Sequence, residues 1–366
     1  MCKSLNRSTT GILIILVCCL LILPGCQLLR SVNPFQDNVQ DPANESGNPD
    51  NTLWYTVYFT DPDSPQAASY EGGPGEAVAE AIRQARISVD VAAYSFNLWE
   101  IRDALLGAHR RGVSVRLVTD SDNYTEEEVQ EMLGAGIPVR HDHNQSLMHN
   151  KFIVIDRLEV WTGSMNPTLG GAYYDNNNLI RIRSTGLANN YTTEFEEMFV
   201  EMSFSRGSMD KTPQTTFEIE DTLVENYFSP EDGTARRIVD LIESARRSVY
   251  FLAYAFTADD IATAMIDRSL SGVNVAGVME NSQYKSNTGT EYEHLLSAGV
   301  DVHLDGNPDN MHHKVIVIDE TIVITGSYNF SASAENKNDE NTLIIHDPEI
   351  AALFIAEYER VYNEAQ

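Results

Sequence analysis

From residue 54 onward, two rhythms of apolar and polar positions alternate along the chain. Residues 76–86 and 235–247 space their apolar side chains three and four apart, as an amphipathic helix does, and each precedes a short apolar run, 88–93 and 249–253, that reads as a strand. Second helices are predicted over 98–110 and 259–270, followed by strands at 113–118 and 273–278. Residues 152–155 with 160–161, and 315–318 with 322–324, read as strand pairs joined by tight turns, and terminal helices are predicted at 189–203 and 349–363. Strands separated by helices predict an α/β fold in which each half is a mixed β-sheet flanked by helices.

The paired ranges reflect an internal repeat. Ala93-Tyr94-Ser95-Phe96 is answered by Ala253-Tyr254-Ala255-Phe256, and Gly134-Ala135-Gly136-Ile137 by Ser297-Ala298-Gly299-Val300, with the offset settling at 163 residues. A duplication accounts for this, giving halves at 54–205 and 223–366 that pack as one pseudo-two-fold body, with the polar, aperiodic stretch 206–222 as the linker.

The first residues follow a different pattern. Lys3 and Arg7 precede an almost pure apolar run over 11–23, too short for a membrane-spanning helix, and the sequence then reads Leu23-Pro24-Gly25-Cys26. This resembles a bacterial lipoprotein signal, which implies removal of residues 1–25, lipidation of Cys26 and a flexible tether over 26–53; an uncut or differently cut signal is the alternative. An exported, envelope-anchored or secreted protein is expected. All four cysteines lie in the leader, so the body can form neither a disulfide nor a thiolate metal site.

Charge narrows the partners. The chain carries −29, and −31 once residues 1–25 are set aside. Such an acidic body suits solubility and disfavours tightly held nucleic acid, although a local basic groove is compatible with it.

The candidate chemistry repeats with the fold. His149-Asn150-Lys151, Asp156 and Gly163-Ser164-Met165-Asn166 in the first half match His312-His313-Lys314, Asp319 and Gly326-Ser327-Tyr328-Asn329 in the second. Residues two apart on a strand share a face, so each half presents one imidazole and one ammonium together. Two such pairs suit a phosphodiester, which needs donors for its anionic oxygens, a nucleophile and a proton donor.

Two HxKxxxxD motifs, each followed by GSxN, resemble the phospholipase D superfamily over residues 54–364. The resemblance implies a phosphohistidine mechanism without metal or cofactor. His149 attacks phosphorus, and His312 protonates the leaving alcohol and then activates water. Lys151, Lys314, Asn166 and Asn329 hold the non-bridging oxygens with Ser164 and Ser327 in support, and Asp156 and Asp319 fix the motif geometry. Glu340 lies 28 residues after His312, where the family often carries an orienting acid, and the same count from His149 reaches Asn177. In duplicated members that acid serves the opposite half, which gives Glu340 to His149 and leaves His312 with Asn177 or Asp175.

The remaining polar residues receive plainer assignments. His141, His143, His303 and His313 have no matched context and are expected at the surface. Tyr94 and Tyr254 are expected in the core or pocket wall, and Asp120 and Glu280 either line the cleft or act as helix caps or solvated ends. One chain supplies a whole site, so no protein partner is required. Three functions stay open: a phospholipase D acting at a phospholipid membrane surface, a secreted endonuclease acting on single-stranded nucleic acid, and a non-catalytic phosphate-binding protein.

Overall fold

The computed structural model describes residues 53–366 except Asn144; the leader, Cys26 and the tether up to residue 52 lie outside the described residues. Local chemistry explains where the elements begin. Helix Gly73–Gln84 carries Pro74 in its first turn, where a missing N–H costs nothing. Ser184 Oγ accepts from Leu187 N to open helix Thr185–Glu196, and Asp347 accepts from Glu349 N and Ile350 N to open Pro348–Glu364.

The first lobe contains strands β1 (Tyr55–Phe59), β2 (Ser88–Ala93), β3 (Ser114–Thr119), β4 (Val139–His141), β5 (Lys151–Ile155), β6 (Glu159–Gly163) and β7 (Asn178–Arg183). The second contains β8 (Thr216–Ile219), β9 (Thr222–Ser229), β10 (Ser248–Ala253), β11 (Asn274–Met279), β12 (Asp301–Leu304), β13 (Lys314–Ile318), β14 (Ile322–Gly326) and β15 (Glu340–His346). The sheet orders are β1-β7-β6-β5-β2-β3-β4 and β12-β11-β10-β13-β14-β15-β9-β8. Read from opposite ends they are the same sheet, with β8 added at one edge. Strands β2, β3 and β4 run parallel and the others antiparallel, and the second lobe repeats the pattern. Both lobes are therefore mixed sheets, as the alternating rhythms predict.

Pleating sends alternate side chains of β5 and β13 to opposite faces. Ile153 and Ile155 pack beneath helices Gly73–Gln84 and Trp99–Arg110 in a cluster confined to the first lobe, and Ile316 and Ile318 do the same in the second. Phe152 and Val154 face the other way and join Val315 and Val317 in one core shared by both lobes. Tyr191 and Phe195 from helix Thr185–Glu196 and Phe354 and Tyr358 from helix Pro348–Glu364 lie within that core. Each such large apolar side chain contributes about 1.5–3 kcal/mol on burial, so the lobes are held together mainly by this layer.

Several elements depart from the sequence expectation. The terminal helix of the first half starts at Thr185 and passes into a π-helical turn at Glu197–Glu201. Residues Thr216–Ile219, expected within the linker, form β8, because Phe217 and Ile219 alternate into the core. Strands β7 and β15 are not predicted from the apolar rhythm; their polar leading residues serve the cleft.

Candidate active site

Each motif strand lies at the centre of its sheet. Lys151 of β5 pairs with Ala93, and Lys314 of β13 pairs with Ala253. The backbone just before each strand is latched to the opposite lobe: His149 N donates to Asp339 O (3.0 Å) and His312 N to Asn176 O (2.9 Å). Isolated parallel bridges, Met148 with Asp339 and Asn176 with Met311, extend both latches.

Side chains cross the same boundary. The Nδ1–H of His149 donates to Glu340 Oε2 (2.8 Å), and Ser327 Oγ donates to the same oxygen (2.7 Å). In the other half Asn177 Nδ2 donates to Gly171 O (2.9 Å), which fixes the amide orientation. Asn177 Oδ1 then accepts from Ser164 Oγ (2.8 Å) and from the Nδ1–H of His312 (2.9 Å). Both histidines thus have Nδ1 committed as a donor, leaving Nε2 as the reactive nitrogen. Lys151 Nζ donates to His149 O (2.9 Å) and Lys314 Nζ to His312 O (2.8 Å), which sets each ammonium beside its imidazole.

The electrostatics are those of a site that favours an anion. Burial pushes the His149 imidazole down to about 4, with Glu340 opposing and Lys151 and Lys314 adding to the fall. Burial takes Lys151 down to about 7 against the pull of Glu340 and Asp120. His312 and Lys314 are held well below their ordinary values, by burial first and then by the neighbouring cations, Lys151 among them. His149 is also among the groups acting on His312, so all four cationic groups act on one another across the cleft.

The supporting residues repeat as well. Tyr94 lies 5.2 Å from the His149 ring and Tyr254 4.5 Å from the His312 ring, and each also faces its lysine, at 5.4 Å and 4.7 Å. Both tyrosines are pocket wall. Asp120 Oδ2 accepts from Met148 N (2.9 Å) and Glu280 Oε2 from Met311 N (2.6 Å), so these acids fix the backbone that leads into each histidine. Burial raises the Asp120 carboxyl to about 6. Asp156 accepts from the backbone of Arg86, Ile87 and Ser88, and Asp319 from Arg246, Arg247 and Ser248. Both aspartates have positive φ, 54° and 52°, and they tie the end of the motif strand to its neighbour, away from the reacting groups. A Cβ at Gly163 or Gly326 would stand 2.3 Å or 2.2 Å from the carbonyl oxygen of Asn178 or Asn341, so only glycine lets Ser164 and Ser327 approach. Asn166 Oδ1 and Asn329 Oδ1 are buried without a partner among the described residues, at matching positions of both lobes, a cost the fold carries twice. Asp175 accepts from Asn310 rather than from His312.

His313 is not at the surface, contrary to the sequence expectation. It is fully buried, with Nε2 on Glu357 (2.9 Å) and Nδ1 accepting from Asn178 Nδ2 (3.0 Å). The reason is the pleat: a residue between His312 and Lys314 faces the opposite way, here into the shared core. Its counterpart Asn150 makes the matching contacts, donating to Glu194 (3.1 Å) and accepting from Asn341 (3.1 Å). The repeat register of 163 residues aligns 150 with 313, 178 with 341 and 194 with 357, and was the signal available for this network. His143 is exposed, and His141 and His303 are partly so.

Comparison with known proteins agrees with the duplication. The family described as cardiolipin synthase, PLD-like domain, matches twice, at residues 78–199 and 238–362. A phospholipase D of Rickettsia prowazekii is 35% identical over 164 residues, covering 45% of this chain and 80% of that protein. A mitochondrial cardiolipin hydrolase of Xenopus tropicalis is 35% identical over 133 residues, covering 36% of this chain and 63% of that protein. The structure of a phosphatidylserine synthase from Haemophilus influenzae matches 85% of this chain and 87% of its own at a TM-score of 0.62; at 14% identity it speaks for the fold alone. With both halves matched by the family, and with paired HxKxxxxD and GSxN motifs meeting across the lobes, the chain belongs to the phospholipase D superfamily.

Proposed function

We propose that this phosphodiester hydrolase cleaves phospholipid head groups, with His149 as nucleophile. One observation carries the reading: two buried imidazoles and two buried ammoniums share a cleft in which a carboxylate, Glu340, is hydrogen-bonded to His149 and a carboxamide, Asn177, to His312. A phosphate charge about 4 Å away, at an effective dielectric of about 20, attracts each cation by about 4 kcal/mol. Substrate therefore favours the protonated forms of Lys151, Lys314 and His312 that burial disfavours, while His149 attacks as the neutral ring. His149 Nε2 forms the bond to phosphorus as the bond to the alcohol oxygen breaks, and His312 gives that oxygen its proton. The phosphohistidine so formed keeps its Nδ1–H on Glu340, which balances the positive ring. His312, now neutral, takes a proton from water; the resulting hydroxide displaces His149 and frees the phosphomonoester.

Names of relatives and the acidic body support lipid over polynucleotide, since a polynucleotide groove requires a basic track. The Leu23-Pro24-Gly25-Cys26 sequence supports export and anchoring through Cys26. The test is to offer phosphatidylcholine, cardiolipin and single-stranded DNA to the protein in EDTA, beside a His149→Asn control. Turnover of lipid that vanishes in the control is expected; turnover of DNA alone would replace the reading with an endonuclease.

A further inference from the structure

We infer that an aromatic platform beside the His312 half of the cleft, formed by Tyr70, Trp99, Tyr173 and Tyr174, is the face on which the protein docks to a zwitterionic phospholipid surface. This rests on the phospholipid reading above and adds which part of the chain meets the bilayer, and which head-group charge it accepts.

Three of the four side chains are left in solvent although they touch. Tyr70, Trp99 and Tyr174 are 38%, 37% and 38% exposed. The Tyr70 ring lies 5.9 Å from Trp99, 5.6 Å from Tyr173 and 6.0 Å from Tyr174, all edge-on. The Tyr70 and Tyr174 hydroxyls share a hydrogen bond, and Tyr173 donates to Glu100 (2.5 Å), which fixes the cluster. Rings with an apolar body and a polar edge are the side chains that suit a lipid–water boundary.

The platform is joined to the cleft by short links. Tyr173 ends helix Leu169–Tyr173, whose Gly171 O accepts from Asn177, the partner of His312. Tyr174 O accepts from Asn307 (3.1 Å) and Asp175 from Asn310 (2.7 Å), both in the loop that leads to His312. A head group leaving on the His312 side therefore departs next to these rings.

Charge selects the occupant. Acidic groups stand beside the platform: Glu100 accepts from Tyr173, Glu71 follows Tyr70 in the chain, and Glu76 and Asp309 are among the charges acting on Tyr173 and Tyr174 respectively. A platform for stacking nucleobases needs basic side chains to hold the phosphates beside it, and an acidic rim repels those phosphates and anionic lipid alike. A phosphatidylcholine surface, whose outermost group is a cation, is attracted.

The chain contains its own probe. Of its three tryptophans, Trp54 and Trp161 are buried at 8% and 2% exposure, and Trp99 is open. The full-length protein is mixed with vesicles of phosphatidylcholine brominated in the acyl chains, and with equally brominated phosphatidylglycerol. The expected result is loss of tryptophan emission with phosphatidylcholine, a weaker loss with phosphatidylglycerol, and no loss in Trp99→Phe. In Tyr70→Ala the ratio of kcat/KM on vesicles to kcat/KM on soluble short-chain phosphatidylcholine should fall roughly tenfold. Quenching that is absent, that survives Trp99→Phe, or that is as strong on phosphatidylglycerol overturns the inference; so does a Tyr70→Ala variant whose ratio is unchanged or whose main loss is on single-stranded DNA. If quenching persists while the wild type leaves soluble phosphatidylcholine intact, the docking face stands and the phospholipase reading falls.

Discussion

His149 hands its Nδ1 proton to a carboxylate, Glu340, and His312 hands its own to a carboxamide, Asn177. Everything around these two contacts is repeated: a serine on the acceptor oxygen, a tyrosine on the ring, a lysine on the histidine carbonyl, a latch to the other lobe. The halves thus orient their imidazoles alike and charge them differently. A carboxylate stabilises a ring that becomes positive on phosphorylation, and a carboxamide holds a ring that must release its proton readily. The two halves share one geometry and differ in one functional group, which under the proposed mechanism divides the labour between the histidines.

The strongest test exchanges the histidines one at a time. With a diester whose leaving group is a nitrophenolate, which needs no proton, His312→Asn should still release one burst of nitrophenol and trap labelled enzyme, whereas His149→Asn should lose about 10³-fold or more in both burst and turnover. Rapid-quench labelling reads both, and a burst from His149→Asn with none from His312→Asn would reverse the roles. Next in size, Glu340→Gln makes the halves alike and should slow single-turnover cleavage about 10²-fold, with little change if Glu340 only packs. Asn177→Asp makes them alike in the other sense. A carboxylate on His312 favours its charged form, so the alkaline limb of the kcat profile should move up by about one pH unit; an unmoved limb would remove Asn177 from the argument.

The smallest effect concerns a pair predicted to behave identically. Asp156→Asn and Asp319→Asn keep a residue that tolerates positive φ but weaken the acceptor of three backbone N–H groups. Each should lower stability by about 1 kcal/mol in thermal melts. Burial works to raise the Asp319 carboxyl, yet the N–H donors of Ser248, Arg247 and Arg246 bring it below its usual value. Its contribution is therefore present above the unfolded carboxyl range and lost as pH falls through the folded value, so Asp319→Asn should flatten that acid loss.

Much of this was legible in the chain. Strand Ser88–Ala93 and helix Asp259–Leu270 emerge with the bounds their rhythm predicts, because burial on both faces of a strand and on one face of a helix leaves a plain apolar signature. The two motifs converge as their spacing implies. Strands β7 and β15 were illegible because Asn178, Arg181, Glu340 and Asn341 fill buried positions with polar groups, each paired across a lobe or within its sheet. His313 misled for the same reason: its partners Asn178 and Glu357 are 135 and 44 residues away, and no local rhythm reports them.

The core shared by the two sheets has a consequence for how such a molecule can change over time. Were the lobes separate, identical subunits meeting about a two-fold axis, any substitution would appear on both sides at once. A new acid beside one imidazole would then always arrive with its twin. Because a single polypeptide carries both lobes and one apolar layer binds them, each side is free to mutate alone while its neighbour preserves the scaffold. Glu340 facing Asn177 is the kind of heritable asymmetry that only a fused pair can keep.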